Sequence, residues 1–282
     1  MGILLGFLGG VALSFGGVIF HAMDNPNAWQ ILFYRTFSFE IVIISFMLLR
    51  YRSKVVSATL SIGKAGLIGG VFLGMGFCFY VFALLNTTVA SALFLLSGGP
   101  LMTALLAWLL IKERINKMTA FAILLTMGGV TIMVSEGLGN GNIFGDLCAL
   151  AAALTFGLMV ISYRSNPGVD MVPATGWGGL VAMAISAFMM PEFEIDYYNL
   201  GLALLLGVVT VGVGFILITL ASIVVPSAEL SLIVLSEAVF GPLWVLLVYG
   251  IVPANTTMFG GAVVFFALML YAYAAKRSSG AT

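Results

Sequence analysis

The chain of 282 residues is 62% hydrophobic and only 8% charged, and its mean hydropathy is +1.18. Soluble domains have about 45–50% apolar and about 25% charged residues, so this composition excludes an ordinary soluble protein and predicts a membrane protein. Eleven basic residues balance eleven acidic ones, so the net charge gives no reason to expect nucleic acid as a partner.

Ten apolar stretches follow one another along the chain, each about long enough to cross a hydrocarbon core of ~30 Å as a helix. Gly, Pro, Asn and charged residues mark the connections between them. The stretches cover residues 2–20, 29–49, 62–85, 88–111, 118–134, 143–163, 171–190, 199–222, 227–249 and 256–275. The first has no basic n-region or cleavage site, so we expect a retained span and not a signal peptide. The predicted fold class is an all-α polytopic membrane protein with ten transmembrane helices.

The basic residues alternate with the predicted spans. Ten of the eleven fall in connections on one side, namely Arg50, Arg52, Lys54, Lys64, Lys112, Arg114, Lys117, Arg164, Lys276 and Arg277. The opposite connections carry no Lys or Arg, but they contain Asp24, Glu136, Glu192, Glu194 and Asp196. By the positive-inside rule, we expect a protein of the inner (plasma) membrane with both termini in the cytoplasm.

The two halves of the chain repeat one another. When the sequence is aligned with itself at the constant offset between Gly69 and Gly207, without gaps, identical residues coincide. We call this offset the repeat shift. It also places Gly74, Gly76, Phe77 and Ala83 on Gly212, Gly214, Phe215 and Ala221. The alternative is chance similarity between glycine-rich helices. If the repeat is real, residues 1–137 and 138–282 form two five-helix units. Because five spans end on the opposite side of the membrane from where they begin, the second unit enters the membrane inverted relative to the first. Inverted repeats with a site near the midplane are typical of secondary transporters.

Two charged residues lie within the second predicted span. At about 1.5 Å per residue, Arg35 lies roughly 9 Å below the outer boundary marked by Trp29, and Glu40 lies near the midplane. An arginine near a helix centre costs about 2.5–3.5 kcal/mol on insertion, so both side chains are expected to face the bundle interior. Their spacing of about 140° around the helix excludes a simple pair. Glu237, near the midplane of span 9, is the best acidic partner for one of the two span 2 groups or for a cationic substrate group.

Several roles are open for these three residues. Arg35 serves either as a gate or scaffold, or as a direct ligand for a substrate carboxylate through its fork of N–H donors. Glu40 and Glu237 together exceed what one arginine neutralises, so we predict that they contact substrate and exchange protons during transport. The competing interpretation is a structural bridge that fixes helix register.

Aromatic residues and prolines support weaker predictions. Tyr80, Tyr163 and Trp177 are candidates for the wall of a central cavity, although most aromatic residues in such a chain fill the core or face lipid. Pro100 and Pro242 lie within spans 4 and 9, where each removes a backbone hydrogen bond and is a candidate hinge.

Three segments have a more specific pattern: FYR at 33–35, PLMTALLAWLLIKER at 100–114 and LSEAVFGPLW at 235–244. With them the chain resembles the drug/metabolite transporter superfamily, in its EamA branch of ten-span, two-repeat proteins. Lys112 stands where that family usually has Gly before Glu-Arg, and Ile251 stands where it usually repeats a Glu. The resemblance implies a carrier for small metabolites, among them amino acids, with spans 1–4 and 6–9 around the path and spans 5 and 10 outside it.

An intramembrane enzyme is not expected. The segment ending at Gly98 lacks the first glycine of a rhomboid-type Gly-x-Ser-Gly motif, and the segment ending at Asp146 lacks that of an aspartyl protease. Cys78 and Cys148 lie in predicted spans, which argues against a disulfide framework or a thiolate metal site. No cofactor or metal is predicted.

The predicted function is therefore a secondary transporter that moves amino acids or related amphipathic compounds by alternating access, with export favoured. A passive channel, or a carrier for purines or quaternary amines, is the alternative. The expected partners are a small-molecule substrate and the lipid bilayer, with a homodimer as an option and no nucleic acid.

Overall fold

The computed structural model describes residues 1–24, 27–87, 89–135, 142–166, 168–190 and 192–279. All regular structure in this part of the chain is helical, and ten segments are long and apolar enough to cross a membrane. The predicted fold class and number of spans are thereby confirmed. Glu136 and the predicted boundary between residues 137 and 138 lie outside the described residues.

The helices of the first half are α1 (Gly2–His21), α2 (Ala28–Tyr51), α3 (Val55–Ser61), α4 (Gly63–Asn86), α5 (Val89–Ser97), α6 (Gly99–Ile111) and α7 (Lys117–Val134), with a 3₁₀ turn (Arg52–Lys54) before α3. Those of the second half are α8 (Ile143–Arg164), α9 (Val172–Met189), α10 (Tyr197–Leu205), α11 (Val213–Ser222), α12 (Ser227–Val234), α13 (Ser236–Tyr249) and α14 (Asn255–Ser279). A π-helical segment (Leu206–Gly212) joins α10 to α11.

Polar side chains set the starts of several helices. Asn27, Asn116 and Asn142 precede α2, α7 and α8, and their side-chain oxygens accept backbone N–H bonds of the first turn. Asp196 does the same for α10, where the backbone N–H of Asn199 is 2.9 Å from its carboxylate. That bond lowers the pKa of Asp196 below its ordinary value, because it stabilises the charged form.

Two of the predicted spans are broken within the bundle. Span 4 divides at Gly98 into α5 and α6, and span 9 divides at Leu235 into α12 and α13. Pro100 lies in the first turn of α6, next to the first break, whereas Pro242 lies inside α13, two helical turns beyond the second. The bonds at Leu235 span three residues instead of four, so a tightened turn marks this break. The role of the two prolines as hinges stays a prediction.

Helix boundaries recur at the interval that the sequence predicts. The repeat shift places the starts of α5 and α7 on those of α12 and α14, and it places Ile111, the end of α6, on Tyr249, the end of α13. The residues that follow, Lys112 and Gly250, both have left-handed backbone, with φ of 59° and 68°. Two halves with the same local conformation at the same spacing are expected of an internal repeat.

The helix contacts have the same symmetry. α1 of the first half packs against α11 and α13 of the second, and α8, which corresponds to α1, packs against α4 and α6. α2 packs against α9, and α7 against α14. The buried core therefore lies largely between the halves, with Phe39, Tyr163 and Ile218 among its fully buried side chains.

The bundle has two chemically different ends. We call the end at which α2, α6 and α8 finish the basic end, since Arg50, Lys112 and Arg164 lie there. The end at which α1, α9 and α13 finish, near Asp24 and Asp196, is the acidic end.

Candidate functional site

Arg35 of α2 is a buried cation whose protein contacts are incomplete. Its side chain is 6% exposed, and its guanidinium lies over the ring of Phe77 on α4, with the Cζ atom 5.2 Å from the ring centroid. In the part of the chain that the structure describes, Nε and Nη2 have no hydrogen-bond partner. Because burying an unpaired charge is costly, these atoms are suited to bind a ligand anion or water.

Tyr80 and Glu237 complete a cluster around this cation. Tyr80 lies one turn beyond Phe77 on α4, in the neighbourhood of both Arg35 and Glu237. Tyr80 and Glu237 are both partly exposed although they lie within the bundle, which is expected of side chains that border an internal opening. Among the described residues, no ion pair joins Arg35 to Glu237 or to Glu40.

The helix break beside Glu237 contributes to the electrostatics. Glu237 lies in the first turn of α13, immediately after the break at Leu235. The unpaired N–H groups at the start of a helix carry a partial positive charge, which stabilises a nearby carboxylate by about 0.3–1 kcal/mol. The break thus creates a place for a charge inside the bundle.

Aromatic rings surround the guanidinium. Phe77 makes edge contacts with Phe39 of α2 and with Phe215 of α11, with centroids 5.9 and 5.0 Å apart. Phe77 and Phe215 correspond under the repeat shift, so equivalent positions of the two halves meet beside Arg35. Phe77 was not among the site residues predicted from the sequence. Its match to Phe215 in the repeat was the signal available, since equivalent residues that meet must lie near the axis relating the halves.

Glu40 lies on a different face of α2 from Arg35, as their angular spacing predicts. It is 6% exposed, and its Oε1 atom has no hydrogen-bond partner among the described residues. The carboxyl group packs against α9, where a Cβ atom added at Gly179 would overlap Oε1. Glu40 therefore belongs to the contact between α2 and α9 and not to the cluster at Phe77.

The two remaining predicted wall residues belong to other helices and pack against α4 at positions away from Phe77. Tyr163 of α8 is fully buried, and its ring packs against Gly69, while the ring of Trp177 of α9 packs against Gly70 and is 40% exposed. These contacts lie about two helical turns, or ~10 Å, from Phe77. The assignment of both residues to the cavity stays a prediction.

Groups of three or more His, Cys, Asp or Glu side chains able to hold a metal ion do not occur among the described residues. The cluster combines one cation, one carboxylate and aromatic surface. Such a set can bind a molecule that has both charges and an apolar part.

Comparison with known proteins adds three findings. A model of the EamA-like transporter family matches residues 1–135. An uncharacterized protein of Pseudomonas aeruginosa is 28% identical over 140 residues, which are 48% of each chain, so the match spans about half the length of that relative. A solved crystal structure of a protein with 20% identity covers 98% of both chains with a TM-score of 0.82. At this identity, the similarity shows the fold alone.

Proposed function

Because residues 1–135 match the EamA-like transporter family, we propose that the protein carries small solutes across a membrane. The cargo is an amino acid or a related amphipathic compound with a carboxylate and an ammonium group. Transport occurs by alternating access, in the direction of export. The basic end faces the cytoplasm, and the membrane is the inner membrane, by the positive-inside rule.

The observation that carries this proposal is the incomplete pairing of Arg35. Its free N–H donors suit a substrate carboxylate, and Glu237, which lies in the neighbourhood of Tyr80, suits an ammonium group. The rings of Phe77 and Phe215 offer an apolar surface for the rest of the substrate. A zwitterion would satisfy both charges at once, whereas a quaternary amine has no anion for Arg35 and a neutral purine has no cation for Glu237.

Alternating access is supported by the recurring helix boundaries and by the two broken spans. Discontinuous helices near the midplane are typical of carriers, in which one repeat moves against the other around a shared site. The breaks at Gly98 and Leu235 nearly coincide under the repeat shift, so both halves contribute one broken helix.

We predict that counterflow into proteoliposomes occurs with zwitterionic amino acids and that Arg35→Gln reduces it at least about tenfold, since one charge-assisted hydrogen bond is worth about 1.5–3 kcal/mol. The measurement compares labelled amino acids, purines and quaternary amines. Trans-stimulation separates a carrier from a pore.

Matched analogues provide the control. An amine that lacks the carboxylate should be transported equally by the parent protein and by Arg35→Gln, and a carboxylic acid that lacks the ammonium group should be insensitive to Glu237→Gln. If both variants transport all compounds at the parental rate, the cluster is not the substrate site.

A further inference from the structure

An ion pair at the basic end connects the two halves of the molecule. Glu113, which follows α6, accepts a hydrogen bond from Nε of Arg164 at the end of α8, with a distance of 2.6 Å to Oε1. The second carboxylate oxygen, Oε2, accepts the backbone N–H of Ser227 at 3.0 Å. Both side chains are only partly exposed, so the pair is less screened by water than a surface pair.

The same pair contacts the ends of four of the spans that are predicted to surround the transport path. Nη1 of Arg164 lies 3.5 Å from the carbonyl oxygen of Ile223, just after α11, and Ser227 begins α12. The ends of spans 4, 6, 8 and 9 are therefore held by one carboxylate and one guanidinium.

The backbone before Glu113 fixes its direction. Lys112 is left-handed, and the N–H groups of Lys112 and Glu113 both donate to the carbonyl oxygen of Ala107, at 3.1 Å for Glu113. This turn ends α6 and directs the chain toward Arg164.

Among the described residues, the acidic end has no counterpart of this pair. The repeat shift places Glu113 on Ile251, so the equivalent position has an apolar side chain. The contact there consists of the Tyr249 hydroxyl, which donates to the carbonyl oxygen of Val18 at 3.2 Å, and of the rings of His21 and Tyr249, 4.8 Å apart. Both ion pairs of the described chain lie at the basic end, the second being the more exposed Arg50–Asp170.

A cleft opens beside the pair at the basic end. Its volume is about 680 Å³, and its lining includes Ile111, Glu113, Arg164, Ser165 and Ile223. Glu113 and Arg164 thus form part of the wall of an opening large enough to admit a small metabolite.

We propose that Glu113 and Arg164 form the gate that closes the transport path at the basic end. The two halves can separate there only when the pair breaks. At the acidic end, the described contacts between the halves are hydrogen bonds and ring contacts without an ion pair, among them the bond from the Thr87 hydroxyl to the Asp146 carboxylate. The assignment rests on the proposed carrier function, but its test follows opening directly and requires no transport.

The test uses cysteine labelling of purified protein in detergent, where a polar maleimide reaches both ends. Ser231→Cys, in a Cys78→Ala/Cys148→Ala background, places the reporter one turn inside Ser227. Ser231 is buried, and its hydroxyl lies 3.1 Å from that of Thr103 across the contact between α12 and α6. We expect Arg164→Gln to accelerate labelling of this cysteine about tenfold, a typical size for a coupling between conformations.

Arg114→Gln is the matched control, because it removes an exposed positive charge one residue from Glu113. It should leave the labelling rate unchanged. Equal rates for Arg164→Gln, Arg114→Gln and the parent would overturn the assignment.

A second reporter separates opening from unfolding. Thr126 is fully buried on α7, outside the proposed path, so Thr126→Cys should stay protected when the gate opens. Acceleration at both reporters would show that the pair supports folding only, and would overturn the gate. If Arg164→Gln does not fold, Glu113→Gln carries the same test, since its amide oxygen can still accept the N–H of Ser227.

Discussion

At the scale of single residues, polar atoms without a protein partner mark the positions where the molecule departs from ordinary core packing. Buried polar groups are nearly always hydrogen-bonded, yet Arg35 and Glu40 each retain such an atom among the described residues. The two belong to different environments, since Arg35 lies beside aromatic rings and Glu40 lies against the backbone of α9. Their shared helix therefore places the two side chains in two different surroundings.

Lys112 and Gly250 allow a paired prediction at this scale. A non-glycine residue in the left-handed region costs about 1–2 kcal/mol, partly offset by the lower entropy of its unfolded state. We expect Lys112→Gly to raise the free energy of unfolding by about 0.5–1 kcal/mol and Gly250→Ala to lower it by a similar amount. A Cβ atom on Gly250 would meet nothing within 4 Å, so only the backbone is tested. Thermal unfolding in detergent measures both, and equal shifts of the same sign would contradict the explanation.

At the scale of elements, glycines set the distance between packed helices. A Cβ atom on Gly129 of α7 would lie 2.9 Å from the carbonyl oxygen of Gly260 and 2.8 Å from Val264, both on α14. Its neighbour Gly128 has nothing within 4 Å of the same atom. The contact between α7 and α14 thus depends on one glycine of an adjacent pair, as is typical where membrane helices approach closely.

This difference predicts opposite effects for two neighbouring substitutions. Gly129→Ala forces α7 and α14 apart, so we expect it to lower the free energy of unfolding by about 1–3 kcal/mol. Gly128→Ala should raise it by about 0.5–1 kcal/mol, because alanine favours the helix and meets no neighbour. The midpoints of thermal unfolding of the two variants, each compared with the parent protein, measure these effects. A loss of stability in both would mean that the close approach at Gly129 is not what distinguishes the two positions.

At the scale of the whole molecule, the contact between α2 and α9 joins corresponding spans of the two halves. Glu40 lies within it, so movement of one half against the other would expose this carboxyl group to water. A carboxyl group that alternates between an apolar and a wet environment can bind and release a proton. Proton exchange at Glu40 would then be tied to the conformational cycle.

We therefore predict that an imposed pH gradient drives transport by the parent protein and that Glu40→Gln abolishes this response while retaining counterflow. Glu229→Gln is the control, because the Glu229 carboxylate already accepts bonds from the hydroxyls of Thr119 and Tyr271. Uptake into proteoliposomes at fixed substrate and varied pH gradient provides the measurement. A Glu40→Gln protein that still follows the gradient would remove Glu40 from coupling and leave Glu237 as the candidate.

The sequence by itself determined the helical class and the ten spans, because hydropathy along a segment decides whether that segment enters a membrane. It also predicted that Arg35 and Glu40 face different directions, because the turn of an α-helix fixes the angle between two residues of one helix. These properties are local, and each is encoded within one span.

Only the tertiary structure decided which side chains meet. The stacking of Arg35 on Phe77, the position of Glu40 beside Gly179 and the pair Glu113–Arg164 each join residues of different spans that are far apart in the sequence. The break in span 9 also depends on packing between helices, because it falls at Leu235, which has no helix-breaking side chain, and not at Pro242. Such contacts depend on how whole helices pack, and that choice is made by the sum of many weak interactions across the bundle.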